Sequence, residues 1–148
     1  MIIVRGCEFP QDRYYHADYN VWVQRAADGT IMLGATAYGV ALAVEFFAFV
    51  PKAAGTNIEA GRAVGLLELS KTVVSVRTPV AGTIIEVNTA AVAKPAIISN
   101  DPYAAGWLVR LKSDAKIESD VQLVFGDALV FAFETEMNLE NFEGVRKA

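Results

Sequence analysis

Among the groups in this sequence able to take part in covalent chemistry, Lys71 has the most informative surroundings. It lies in the run Gly65-Leu-Leu-Glu-Leu-Ser-Lys71-Thr-Val-Val-Ser-Val-Arg-Thr-Pro-Val-Ala-Gly82. Two stretches rich in Leu and Val, which favour strands, flank the polar triplet Ser70-Lys71-Thr72. This predicts a β-hairpin with a lysine at its tip. An amine held on an exposed turn, and not tied to a carboxylate, gives a modifying enzyme what it needs to acylate one lysine among several. Lys71 is therefore a candidate attachment point for a swinging arm. The plainer reading is that a lysine at a hairpin tip is a solvated charge that discourages edge pairing.

The other reactive groups offer little. Cys7 is the only cysteine and His16 the only histidine, so no intrachain disulfide and no cysteine-based metal cluster can form. No glycine-flanked serine elbow accompanies His16, which argues against a serine hydrolase. Cys7 reads as a small buried hydrophobe, with redox contact as the alternative. We expect a protein without catalysis of its own.

The elements that must position Lys71 follow from the chain in order. With 148 residues, 53% of them hydrophobic, the sequence predicts one domain over 1–148 with a packed core. Met1 to His16 reads as an irregular lead-in. Tyr19 to Arg25 alternates with period two, Asp28-Gly29 is a strong hairpin signal, and Thr30 to Gly34 returns as the second strand. Thr36 can cap a short helix over Ala37 to Ala43, and Val44 to Val50 resumes as a strand that stops at Pro51. Lys52 to Asn57 is a turn centred on Gly55. Pro79 to Gly82 turns the chain into the strand Thr83 to Val87, and Asn88 caps an alanine-rich helix ending near Pro95. Asn100 to Tyr103 is turn chemistry and Gly106 to Lys112 a strand. Asp127 should cap a terminal helix, to about 142, with Val130, Phe133 and Met137 inward and Glu134, Glu136 and Glu140 in solvent. The fold class expected is mainly β with short helices, a sandwich or flattened barrel.

Net charge −4 and pI near 5.0 argue against a nucleic-acid surface. The longest apolar run, Gly39 to Pro51, is broken by Glu45 and too short to span a bilayer. The amino terminus lacks the features of a secretory signal, so a cytoplasmic location is expected.

Turn glycines at Gly55 and Gly82 bracket Lys71, a framing similar to that of biotinyl and lipoyl carrier domains; the absence of Met-Lys-Met disfavours biotin. Glu68-Leu-Ser-Lys71 resembles the Glu-Ser-x-Lys segment of the glycine cleavage H protein. Pro79-Val-Ala-Gly-Thr-Ile-Ile-Glu-Val-Asn88 resembles its Pro-Val-Ser-Gly run, and Asn100-Asp-Pro-Tyr103 with Gly106-Trp107 resembles a further signature. The similarity covers roughly Tyr14 to Lys112. It implies a barrel-sandwich hybrid fold with a C-terminal helix, lipoate joined by an amide to Lys71, and Glu68 read by the lipoate ligase. Dihydrolipoamide dehydrogenase is implied as a partner.

The sequence departs from the H-protein pattern at three places where that family binds its aminomethylated arm. His-Glu-Trp appears as Asn20-Val21-Trp22, Thr-Asp-Tyr as Thr36-Ala37-Tyr38, and the acidic residue four after the lysine as Ser75. Each change replaces a charged or polar group by a neutral one, and a cationic methylamine is costly to bury unpaired. The opening Arg5-Gly-Cys-Glu-Phe-Pro10, with Arg13-Tyr-Tyr15, Thr36-Ala-Tyr-Gly39 and Pro51-Lys52, resembles instead the lipoate-binding proteins of bacterial sulfur oxidation. That resemblance implies a sulfur cargo and a heterodisulfide-reductase-like complex as partner. An unmodified interaction module is the remaining alternative.

Overall fold

The first nine residues already form a hairpin, in place of the irregular lead-in expected. Strands β1 (Ile2–Val4) and β2 (Cys7–Phe9) pair across Arg5 and Gly6. Both turn residues take positive φ, 48° and 84°, as a two-residue primed turn requires. The structure, a computed structural model, describes residues 1–145. After β3 (Tyr14–His16), the alternating stretch forms β4 (Val21–Arg25) and β5 (Ile31–Ala35), joined through Asp28-Gly29. Helix α1 covers Ala37–Ala43, and the buried Thr36 caps it by accepting a hydrogen bond from Gly39 N at 3.0 Å. This is the helix and the cap expected.

Strands β6 (Ala48–Pro51), β7 (Asn57–Ile58), β8 (Ala63–Glu68), β9 (Val73–Arg77) and β10 (Gly82–Val87) follow. Gly55, with φ 94°, occupies a turn, but Gly82 opens β10 instead of turning the chain. A Cβ at Gly82 would lie 2.7 Å from the Lys112 carbonyl oxygen, so close approach of backbone, not turn geometry, demands glycine there. Asn88 caps α2 (Thr89–Ala93), as expected. A further helix, α3 (Ala96–Asn100), fills the stretch between Pro95 and the Asn100 turn, where no element was expected. Strand β11 (Val109–Lys112), a turn of 3₁₀ helix at Ile117–Ser119 and helix α4 (Asp127–Leu139) complete the described chain.

The strands assemble into antiparallel sheets: β1-β2, a six-stranded sheet β3-β4-β5-β11-β10-β7, and a three-stranded sheet β6-β8-β9. The fold is thus mainly β with short helices and a C-terminal helix. Residues of the two larger sheets, among them Leu33, Ile84 and Leu111 from one and Phe49, Val64 and Leu67 from the other, share one apolar core. A second core joins Val4, Cys7, Phe9, Tyr15, Trp22 and Tyr38 to Leu129, Phe133 and Met137 of α4. Strand β4 serves both: Val21 and Val23 enter the first core and Trp22, on the opposite face, the second. Phe133 is fully buried and its ring lies 4.4 Å from that of Phe9. Burial of such a side chain contributes about 1.5–3 kcal/mol, which fastens α4 to the amino-terminal hairpin.

Helix α4 departs from expectation in three ways. Gly126 occupies the N-cap with no side-chain hydrogen bond, and Asp127 sits inside the first turn, where its charge favours the positive end of the helix. Leu129, not Val130, leads the fully buried row with Phe133 and Met137. The helix ends at Leu139, short of 142, and Glu136 is half-buried, with desolvation raising its carboxyl above the usual range. No helix among the described residues is long and apolar enough to cross a membrane.

Candidate functional site

Lys71 lies at the tip of the hairpin formed by β8 and β9. Glu68 pairs with Val73, and Leu69 N donates to Thr72 O at 2.8 Å, which leaves Ser70 and Lys71 as a two-residue loop. Neither residue takes a positive φ, so the turn is not of the primed kind found at Arg5-Gly6. Lys71 is exposed and takes part in none of the ion pairs among the described residues. Glu68 is exposed as well. It stands between Leu67 and Leu69, which face inward, and so projects from the outer side of the three-stranded sheet.

The inward side of this hairpin walls a cavity of about 210 Å³, room for about seven waters at ~30 Å³ each. Leu67, Leu69, Val74 and Val76 form the hairpin wall; Gly39, Leu42 and Ala43 of α1 and Phe46 stand on another side. Asn20, Val21 and Ser75, three of the positions at which the sequence departs from the H-protein pattern, all line it. Ala37 does not: its N–H donates to the Tyr103 hydroxyl at 2.9 Å, at the other end of α1. None of the fourteen lining residues carries a charge. The wall between Ala43 and Phe46 contains Val44 in a γ-turn (φ 65°, ψ −55°), closed by Glu45 N donating to Ala43 O at 2.7 Å. A β-branched residue in that conformation holds strain of order 1–3 kcal/mol.

In the cavity wall, Tyr19 packs against the His16 imidazole and the Arg77 guanidinium. His16 stacks on one face at 3.7 Å, and the Arg77 guanidinium lies over the ring at 4.1 Å to the centroid. Burial lowers the pKa of His16, while Asp18 and Asp120 act against that shift and Arg77 adds to it. His16 therefore favours the neutral form, with Nδ1 accepting from Tyr19 N at 3.2 Å.

The motifs that carry the resemblance prove to be mostly scaffolding. Gly106 admits no side chain, since a Cβ would sit 2.6 Å from the Asp101 carbonyl oxygen and 2.7 Å from that of Ile97. Asn88 donates from Nδ2 to the carbonyls of Ala105 and Trp107, tying α2 to this loop. Arg13, almost wholly buried, stacks over Trp22 at 4.6 Å and donates to Tyr103 O. Cys7 is buried in the second core, and desolvation pushes its thiol up to about 11, far from the range of a reactive thiolate. Among the described residues no group of three or more His, Cys, Asp and Glu is placed to hold a metal.

The residues sequence reasoning did not single out are the apolar lining: Leu42, Phe46, Leu69, Val74 and Leu108. They come from three separate stretches, and only their hydrophobicity marked them.

Residues 13–135 match the family described as Glycine cleavage H-protein. "Glycine cleavage system H protein 5" of Aquifex aeolicus is 35% identical over 115 residues, covering 76% of this chain and 78% of that protein. The "Glycine cleavage system H protein" of Mycobacterium tuberculosis is 33% identical over 138 residues, covering 93% and 96%. The crystal structure of a glycine cleavage system H protein from Mycobacterium marinum matches with a TM-score of 0.72 at 30% identity, over 90% of this chain and 99% of that one. With the match extending over most of its length, the chain belongs to the glycine cleavage H-protein family.

Proposed function

We propose that this protein carries lipoate in amide linkage on Lys71 and acts as a carrier between enzymes, without catalysis of its own. The observation behind this reading is an exposed lysine at a two-residue hairpin tip whose inner wall lines a cavity without charges. Family membership supports it, since H proteins are lipoate-bearing carriers. The bound lipoyl group would supply the redox chemistry, its ring cycling between disulfide and dithiol. The chain's own part is mechanical. β8 and β9 hold the tip clear of the body, and acylation removes the charge of Lys71 to leave a largely apolar tether. Glu68, on the outer face, is available to the lipoate ligase while the arm lies toward the inner one.

Two cargoes are consistent with a lipoyl arm. The names of the relatives favour an aminomethyl group from glycine, with dihydrolipoamide dehydrogenase reoxidising the arm. The uncharged lining, with Asn20, Val21 and Ser75 where the family pattern has charged or polar groups, favours a sulfur adduct passed to a heterodisulfide-reductase-like complex in the cytoplasm. We take the sulfur cargo as the reading, because a cavity without a carboxylate offers a methylammonium no counter-charge.

The test has two stages. Intact mass after production with lipoate and an active ligase should show one lipoyl increment mapped to Lys71, and Lys71→Arg should lose it while its unfolding free energy stays within about 0.5 kcal/mol of the parent. A chain left unmodified beside a modified control H protein defeats the carrier reading. The lipoylated protein should then fail to support glycine decarboxylation in a reconstituted system, and robust activity there would defeat the sulfur cargo.

A further inference from the structure

Asn20 is held so that its side-chain acceptor is used and its side-chain donors are not. Its backbone takes φ 56°, with N–H donating to Ala17 O at 3.2 Å and C=O accepting from Thr36 N at 3.2 Å. Its side-chain Oδ1 accepts from the Thr36 hydroxyl at 3.2 Å, and that same hydroxyl accepts from Gly39 N at 3.0 Å. Thr36 is fully buried, so neither contact competes with water. The Nδ2 group has no partner among the described residues, and Asn20 lines the cavity.

The electrostatic surroundings have the same sense. The guanidinium of Arg77 lies over the ring of Tyr19, which forms part of the lining, and its Nε is fixed on Gly61 O at 2.8 Å. No carboxylate lines the cavity. A cationic end group would leave water for a site with amide donors and a positive charge behind the wall. That transfer is costly.

We infer that Asn20 determines which end group the cavity accepts: one that accepts hydrogen bonds and bears no positive charge, such as a sulfur–oxygen anion, with an ammonium rejected. The inference deepens the proposed carrier role and rests on the arm of Lys71 reaching this cavity. Asn20 acts here as a specificity-determining residue through its two free side-chain N–H donors, with Thr36 as the group that fixes the amide.

The test uses the full chain without lipoate and two six-carbon probes, hexanesulfonate and hexylammonium, followed by amide chemical-shift titration. One charge-assisted hydrogen bond corresponds to about tenfold in affinity, so the sulfonate should bind about tenfold more tightly than the ammonium. Asn20→Asp keeps the acceptor for Thr36, tolerates the positive φ and exchanges the donors for a carboxylate; it should invert the order. Asn20→Gly, which suits the same backbone, should remove the preference should the aspartate variant not fold. Equal binding of both probes, binding of neither, or an unchanged order in the variants overturns the inference. Loss of preference in a chain that is lipoylated on Lys71 overturns this inference alone, whereas an unmodified Lys71 overturns the carrier reading whichever probe binds.

Discussion

Replacing Thr36 by valine should destabilise the protein by about 2 kcal/mol and disturb the cavity at the same time. Valine nearly matches threonine in volume, so the perturbation is loss of the hydroxyl inside a fully buried site. Two hydrogen bonds go with it. The N-cap contact to Gly39 N is worth about 1 kcal/mol, and the bond to Asn20 Oδ1 about 1 kcal/mol more. For a chain of this length that sum lowers the melting temperature by about 4–8 °C. A double-mutant cycle with Asn20→Gly isolates the second bond, because Thr36→Val then removes only the cap. Urea unfolding of the four proteins should give a coupling of about 1 kcal/mol between the two sites. The single Thr36→Val chain should also lose its preference for hexanesulfonate, since the Asn20 amide is no longer oriented. A coupling below about 0.3 kcal/mol would show that Thr36 does not hold Asn20, and the reasoning that assigns free donors to the cavity would fail.

Two further outcomes follow from buried titratable groups. The folded-state pKa of His16 lies below its unfolded value, so the unfolded chain binds more protons between the two. Stability is then greatest above about pH 6.5 and falls as pH drops through the window below it. A His16→Gln variant should show a flatter dependence in urea midpoints over that window, and an identical slope would remove His16 from the account. Cys7 should resist iodoacetamide at pH 8 in the native protein and react readily in urea, because burial keeps it a thiol. Native labelling at the rate of a free small thiol would contradict its placement in the second core.

What the sequence revealed was what short-range chemistry decides. Thr36 and Asn88 are good caps with apolar periodicity after them, and both helices begin where those residues stand. The Lys71 hairpin was visible because a Leu-rich stretch and a Val-rich stretch flank a polar triplet. The β1-β2 hairpin was not, since Arg5-Gly6 is no customary turn pair and the strands have three residues each. Helix α3 follows Pro95 in a five-residue stretch too short to display a period. At α4 the nearest good capping side chain, Asp127, attracted the boundary, while the backbone of Gly126, at φ 61°, makes the actual entry. The cavity was legible only at Asn20, Val21 and Ser75, and through resemblance instead of pattern. Its remaining lining comes together by contacts between residues as far apart as Tyr19 and Leu108, which no local window contains.

The division of labour along β4 bears on how lineages of such carriers are told apart. Arg13, Trp22, Cys7 and Phe9 brace the amino-terminal hairpin against α4, and Val21 alone on the same strand reaches the cavity. Substitutions in the brace and substitutions in the cavity are thus inherited side by side yet answer to different selection, one for assembly and one for cargo. A lineage could exchange its freight and keep its brace, or drift in its brace and keep its freight. Phylogenetic sorting by the opening motif traces ancestry of the brace. Under the proposed carrier role, sorting by position 20 would trace the cargo instead.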